Sequence, residues 1–115
     1  VGQSINRSFV EGQIYGGVQM GIGMALCEEL AYSPEGRPKA ENFDKYHMVN
    51  APDMPEVEIM LVEEGEPGGP YGAKSIGEIV INTPSPAIAH AIYRATGVWH
   101  RTLPITPEKI LFGKQ

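Results

Sequence analysis

A glutamate on an irregular loop is the residue of this sequence best suited to chemistry. Glu78 closes the run 68–78, whose glycines and proline exclude a regular element and give the loop a defined shape. Its apolar neighbours, Ile76 and Ile79, are expected to desolvate the carboxylate, which raises a carboxyl pKa toward the range of a general base at neutral pH; Lys74 can oppose that shift. A glutamate that merely caps a neighbouring backbone explains the same residues equally well.

Cysteine and histidine indicate no further reactive site. Cys27 is the only cysteine, which excludes an internal disulfide and zinc sites of the paired-cysteine kind. Its apolar surroundings favour a buried structural thiol. His47, His90 and His100 lie far apart without metal-ligand spacing, so each is expected to be structural or at the surface. The segment 21–23 lacks the third glycine of a dinucleotide-binding motif.

Composition narrows the classes of function. The 115 residues carry 14 acidic and 9 basic side chains, a formal charge of −5, and no basic stripe, so nucleic-acid binding is not expected. No apolar run approaches the roughly 20 residues of a membrane span, and no signal peptide is recognisable, so a soluble, cytoplasmic protein is expected. Because the sequence opens at Val1 without a methionine, we expect a piece cut from a longer protein.

A long, glycine-rich helix, expected from Phe9 to Leu30, is the first element that must position these residues. Its apolar stripe recurs every four residues, at Ile14, Val18, Ile22 and Leu26. Five glycines interrupt it, each costing up to about 1 kcal/mol relative to alanine: Gly12, Gly16, Gly17, Gly21 and Gly23. Glycines leave the helix backbone uncovered, so either another helix can pack closely there or a large cofactor can bind near the helix start. At that end the unpaired N–H groups favour a negative charge such as phosphate. The residues alone favour packing.

The remaining elements are shorter. A second helix is expected from Thr83 and Pro84 to a stop at Gly97, and a capped turn or two from Thr106. Short strands are expected at residues 31–33, 57–62 and 98–101, the second of which alternates with a period of two. The expected fold class is α+β: one compact domain with two main helices and several short strands.

Seven separate motifs stand in order along the chain. They are VEGQIYGG at 10–17, NFD at 42–44, DMPE at 53–56, GPYGAKSIGE at 69–78, TPSPAIAHAI at 83–92, ATG at 95–97 and LPITPEKIL at 103–111. In this order they resemble the C-terminal end of the molybdenum-binding subunit of the xanthine dehydrogenase and aldehyde oxidase family. The resemblance covers nearly the whole chain, so residues 1–115 are similar to a C-terminal fragment of a molybdopterin-binding hydroxylase domain.

The resemblance implies an oxidoreductase that hydroxylates a nitrogen heterocycle such as a purine, or an aldehyde, with water as the oxygen source. It implies molybdenum on molybdopterin, in the cytosine dinucleotide form. The implied partners are the remainder of the molybdenum subunit and domains or subunits that carry iron–sulfur clusters and FAD. By resemblance Glu78 is the catalytic base, Gln13, Gly12 and Gly16 contact the cofactor, and no side chain ligates the metal. The isolated fragment is expected to be inactive.

Some positions depart from the family's pattern. Ser75 stands where many members have glycine, and Ile79 where many have proline. These changes leave Glu78 in place but alter the expected shape of the pocket. A role from another class stays open beside the enzymatic one: a stand-alone, non-catalytic interaction or assembly domain that keeps the fold.

Overall fold

Helix α1, Arg7–Leu26, is the element against which the other helices are arranged. The computed structural model of the protein describes residues 1–113. The Asn6 side chain caps the start of α1, where its Oδ1 accepts from the Phe9 amide at 3.2 Å. The helix ends four residues earlier than expected, because the amides of Cys27 and Glu28 both turn back to the Gly23 carbonyl, at 3.0 and 2.8 Å.

Two further helices follow the predicted signals closely. Helix α2, Pro84–Thr96, ends at Gly97, which has a φ of 74° and donates its amide to the Tyr93 carbonyl at 2.7 Å. Helix α3, Pro107–Phe112, begins after Thr106, whose hydroxyl accepts from the Lys109 amide at 3.4 Å. Both predictions are confirmed. Short 3₁₀ turns at Ala51–Asp53, Pro70–Gly72 and Ile79–Asn82 complete the regular structure of residues 1–113.

The prediction of several short strands is wrong. Across residues 1–113 the only β-type pairing is an isolated antiparallel bridge between Tyr32 and Pro38. Residues 57–62 do run extended and alternate between half-buried and exposed, as a strand would. A strand, however, is defined by hydrogen bonds to a neighbour, and no other segment within the described part of the chain pairs with this one. The observed architecture is helical, with long irregular connections.

Four of the five glycines of α1 divide into two groups, and the first packs closely on α2 and the turn before it. A Cβ on Gly17 would lie 2.6 Å from the Cβ of Val80, and a Cβ on Gly21 would lie 2.6 Å from the Cβ of Pro84. The Ser85 hydroxyl donates to the Gly21 carbonyl at 2.9 Å. Close packing, which the residues favoured, therefore accounts for Gly17 and Gly21.

The chain is less compact than expected. Its radius of gyration is 17.5 Å, whereas a compact domain of this length has about 13 Å. Its accessible surface is 8526 Å², compared with about 6,200 Å² for a compact monomer of the same mass. Ala25 and Ile105 are the only fully buried apolar side chains of the described residues, and the Ile105 amide donates to the Ala25 carbonyl at 2.6 Å.

No helix within residues 1–113 is both long and apolar enough to span a membrane.

Candidate functional site

The glycine-rich loop that carries Glu78 is held in shape by its own backbone. Tyr71 and Gly72 both adopt left-handed conformations, with φ of 53° and 75°. The turn brings the Gly72 carbonyl to a point where it accepts from the amides of Gln3, at 2.8 Å, and Glu66, at 3.0 Å. A Cβ on Gly2 would collide with this carbonyl, so the N-terminal segment and the loop lie in direct backbone contact. The loop is thus anchored at its base, as its composition predicts.

Glu78 itself is exposed, at the position just before the turn Ile79–Asn82. Its side chain makes no capping hydrogen bond, so the alternative of a purely capping glutamate is wrong. The expected desolvation is not supplied by the described neighbours either, because they leave the carboxylate open to solvent. Lys74 is also exposed and forms no ion pair with Glu78, since the one ion pair within residues 1–113 joins Arg7 and Glu11.

The fold brings the start of α1 to the glutamate-bearing loop. The Gln13 side-chain amide donates to the carbonyl of Gly77, directly before Glu78, at 3.5 Å across 64 positions of sequence. The Gly77 amide in turn donates to the Ser75 hydroxyl at 3.4 Å. Gln13, which the resemblance implies, and Glu78, which the loop composition also singled out, therefore lie on neighbouring elements.

The second group of α1 glycines, Gly12 and Gly16, faces open space beside Gln13. A Cβ built on either residue meets nothing within 4 Å, in contrast to Gly17 and Gly21. Close packing by the described residues therefore does not explain them. Bare helix backbone next to a side-chain amide is a surface that a flat polar ligand can approach closely.

An open groove of about 310 Å³ lies between the start of α1 and the loop. Its walls are mostly apolar, with the Gln13 amide and the backbone of Gly77 at one side. The lining residues are Gln3, Ile5, Asn6, Phe9, Val10, Gln13, Ala73, Ile76 and Gly77. The contribution of Gln3, Ile5 and Asn6 could not be predicted, because an irregular N-terminal segment has no periodicity to interpret.

An ion pair joins two side chains in the first turns of α1. Arg7 Nε donates to Glu11 Oε1 at 2.8 Å. This hydrogen bond and the Glu11 charge raise the pKa of Arg7, with a smaller contribution from Glu63. The guanidinium therefore stays charged throughout the physiological range.

The histidines and the cysteine lie away from this site. His90 stacks on the Trp99 ring at a centroid distance of 5.9 Å, and His47 is exposed. His100 is buried, with 7% exposure, and neither ring nitrogen has a hydrogen-bond partner within residues 1–113. Cys27 is half-buried, and burial raises the pKa of its thiol, with Glu28 and Asp53 adding to the effect. No three His, Cys, Asp or Glu side chains of the described residues are grouped to hold a metal.

Comparison with known proteins supplies the context of this site. A family model described as a molybdopterin cofactor-binding domain matches residues 1–55. The xanthine dehydrogenase molybdenum-binding subunit of Escherichia coli O157:H7 is 42% identical over 110 residues, which cover 95% of this chain and 15% of that protein. The gamma subunit of the 6-hydroxypseudooxynicotine dehydrogenase complex of Paenarthrobacter nicotinovorans is 42% identical over 112 residues, 95% of this chain and 14% of that subunit.

The fold is also similar to that of solved structures. The crystal structure of quinoline 2-oxidoreductase from Pseudomonas putida 86 superimposes with a TM-score of 0.88 at 33% identity, over 96% of this chain and 14% of that one. The chain spans 12 to 15% of the length of the curated relatives it matches. The similarity therefore covers nearly all of this chain and a small part of each relative.

Proposed function

Because the chain belongs to the xanthine dehydrogenase and aldehyde oxidase family, among the molybdenum-binding subunits, we propose that the protein containing it is a molybdenum-dependent hydroxylase. The proposed substrate is a small nitrogen heterocycle such as a purine, or an aldehyde, and water supplies the oxygen. The names of the relatives support the first class: xanthine and quinoline are nitrogen heterocycles. We propose that residues 1–115 form the C-terminal part of the molybdopterin-binding domain.

The observation that carries this proposal is the contact between α1 and the glutamate loop. The Gln13 amide reaches the Gly77 carbonyl, so a ligand lying on the helix start also lies beside Glu78. The open backbone at Gly12 and Gly16 and the polar amide of Gln13 fit a cofactor that is held by hydrogen bonds and close backbone approach. Gln13, Gly12 and Gly16 would hold molybdopterin there, in the cytosine dinucleotide form.

Glu78 is the proposed general base. When bound, the molybdenum cofactor supplies the two-electron oxidation and the oxygen-transfer chemistry. The Glu78 carboxylate has no hydrogen-bond partner within residues 1–113, so both Oε atoms remain available to accept a proton. The backbone bonds to the Gly72 carbonyl fix the base of the loop that carries it. A base so positioned contributes about 10²- to 10⁴-fold to the rate.

The proposal extends to the partners of the subunit. Electrons from the oxidation leave through iron–sulfur clusters and FAD in partner domains or subunits, in a cytoplasmic assembly. The relative described as a gamma subunit of a dehydrogenase complex supports a multi-subunit arrangement. The remainder of the molybdenum subunit completes the pocket, so the isolated 115 residues are expected to have no activity.

The test is the variant Glu78→Gln in the full-length protein, with Glu64→Gln as the matched control. Glu64 is an exposed glutamate in the turn before the loop, so its substitution makes the same change of charge outside the site. We expect kcat to fall by about 10²- to 10⁴-fold in Glu78→Gln, with molybdenum content unchanged, and no effect of Glu64→Gln. Both variants are assayed with a purine, a quinoline and an aromatic aldehyde. Normal turnover of Glu78→Gln removes the residue from its role, and a cofactor-loaded wild type that turns over none of these compounds favours the non-catalytic alternative.

A further inference from the structure

Most backbone N–H and C=O groups of the extended segment 56–62 have no hydrogen-bond partner within residues 1–113. None of its seven N–H groups donates a hydrogen bond within residues 1–113. Two of its carbonyls accept bonds, one at each end: Val57 from the Tyr15 hydroxyl and Val62 from the Val1 amino group, both at 3.4 Å. In a strand, the N–H and C=O groups of one residue face one edge, and those of the next residue face the opposite edge. Residue 57 is odd-numbered and residue 62 even-numbered, so their carbonyls face opposite edges of the segment. Each edge therefore carries one hydrogen bond near one end, and its other N–H and C=O groups are free.

The side chains of the segment alternate between the two faces, as those of a strand do. Val57, Ile59 and Leu61 are half-buried against the described chain, and the residues between them point outward. The outward face is acidic in its first half, at Glu56 and Glu58, and apolar in its second, where Met60 is 90% exposed and Val62 is 70% exposed. A near-continuous apolar run, VEIMLV, is typical of an inner strand with layers on both sides rather than of a solvated edge.

The surface of the whole chain indicates how large the covering structure is. The accessible area exceeds that of a compact monomer of this mass by about 2,300 Å². A standard protein–protein interface buries about 1,600 Å² in total from both partners. The excess on this chain alone is larger, which fits permanent burial inside one folded subunit rather than a transient encounter.

We infer that residues 56–62 are an inner β-strand, completed at each of its two edges by an extended strand from another part of the same subunit. This inference rests on the proposed function, which assigns the chain to a subunit several times its length. A partner strand at each edge pairs with the free N–H and C=O groups of residues 58–61, because alternate residues face opposite edges. Because glutamates stand at positions 56, 58, 63 and 64, these strands carry lysine or arginine opposite them, and an apolar layer covers Met60 and Val62.

Hydrogen–deuterium exchange of the full-length protein tests this pairing. The internal control is the adjoining turn, residues 63–65, whose N–H groups likewise donate no bond within the described part of the chain. We expect amides 57–62 to exchange at least a thousandfold more slowly than amides 63–65, and the protection to persist on dilution. Equal rates in the two segments overturn the inference. Protection that disappears on dilution assigns the pairing to a second copy and overturns it as well.

A pair of variants separates backbone pairing from side-chain packing. Met60→Pro removes the central N–H of the strand, whereas Met60→Ala keeps the backbone and removes the same side chain. We expect Met60→Pro to raise the exchange rate of amides 57–62 at least tenfold above that of Met60→Ala. If Met60→Pro gives no folded protein, the wild-type exchange rates still decide the question. Exchange is independent of turnover: protection without activity contradicts the proposed function alone, and activity without protection contradicts the strand alone.

Discussion

Replacing Gly21 by alanine is expected to loosen the contact between α1 and α2. The new Cβ would stand 2.6 Å from the Cβ of Pro84 and 2.8 Å from its Cγ. Carbon atoms rest about 3.5–4.0 Å apart, so the helices must separate by about 1 Å. The proline ring is rigid and begins α2, so it cannot rotate out of the way.

The expected loss of stability is the sum of two destabilising effects and one stabilising effect. Overpacking a filled contact costs about 1–3 kcal/mol. Separating the helices also weakens the bond from the Ser85 hydroxyl to the Gly21 carbonyl, which contributes about 1 kcal/mol. Alanine is favoured over glycine in a helix interior by about 1 kcal/mol, which offsets part of this. The net loss of local stability is about 2 kcal/mol, equivalent to about a 30-fold increase in opening.

Hydrogen–deuterium exchange of α1 in the cofactor-free full-length protein measures this opening. The matched control is Gly16→Ala, the same chemical change on the same helix where a Cβ meets nothing within 4 Å. We expect the central amides of α1 to exchange about 30-fold faster in Gly21→Ala and about two- to fivefold more slowly in Gly16→Ala. Wild-type rates in Gly21→Ala, or equal acceleration in both variants, would refute the division of the glycines into packed and open groups.

Two further expectations follow from the cap of α1 and from the half-buried thiol. Asn6→Ala removes the acceptor of the Phe9 amide, so the first turn is expected to lose about 1 kcal/mol and to exchange about fivefold faster; Ser8→Ala at the exposed neighbouring position is the control, and equal rates in the two variants contradict the cap. Burial raises the pKa of Cys27, so less thiolate is present at a given pH and alkylation by iodoacetamide should accelerate at a higher pH in the folded protein than in urea. Coincident pH profiles would contradict this.

Features fixed by neighbouring residues could be predicted from the sequence. Pro84 starts α2 where expected and Gly97 ends it, because a fixed φ and a left-handed residue act locally; the Thr83 side chain makes no capping hydrogen bond. The irregular loop around Glu78 was predicted for the same reason. The end of α1 was missed, because the apolar Leu30 continued the stripe while the Glu28 amide had already turned back to Gly23.

Features that depend on distant residues could not be predicted. The alternation of apolar residues at 57–62 correctly predicted which side chains are half-buried. Strand pairing, however, requires a partner that no local pattern reveals. Likewise, the apolar neighbours of Glu78 do not bury it, because the turn Ile79–Asn82 directs the chain back toward α1 and leaves the preceding side chain outside. Adjacency to apolar residues in sequence is therefore a weak guide to burial at the start of a turn.

Two of the bonds that join α1 to the later half of the chain, from Gln13 to Gly77 and from Ser85 to Gly21, each close a loop of 64 residues. The entropy of closing a flexible loop grows only with the logarithm of its length, so doubling it costs about 0.6 kcal/mol. Residues inserted into the exposed turn 34–39 would therefore hardly disturb the site. A single residue inserted between Gly16 and Gly17 would instead rotate one half of α1 against the other by about 100°. Gln13 and Gly21 could then no longer reach Gly77 and Ser85 together, so the helix tolerates no change of length where the connection tolerates many.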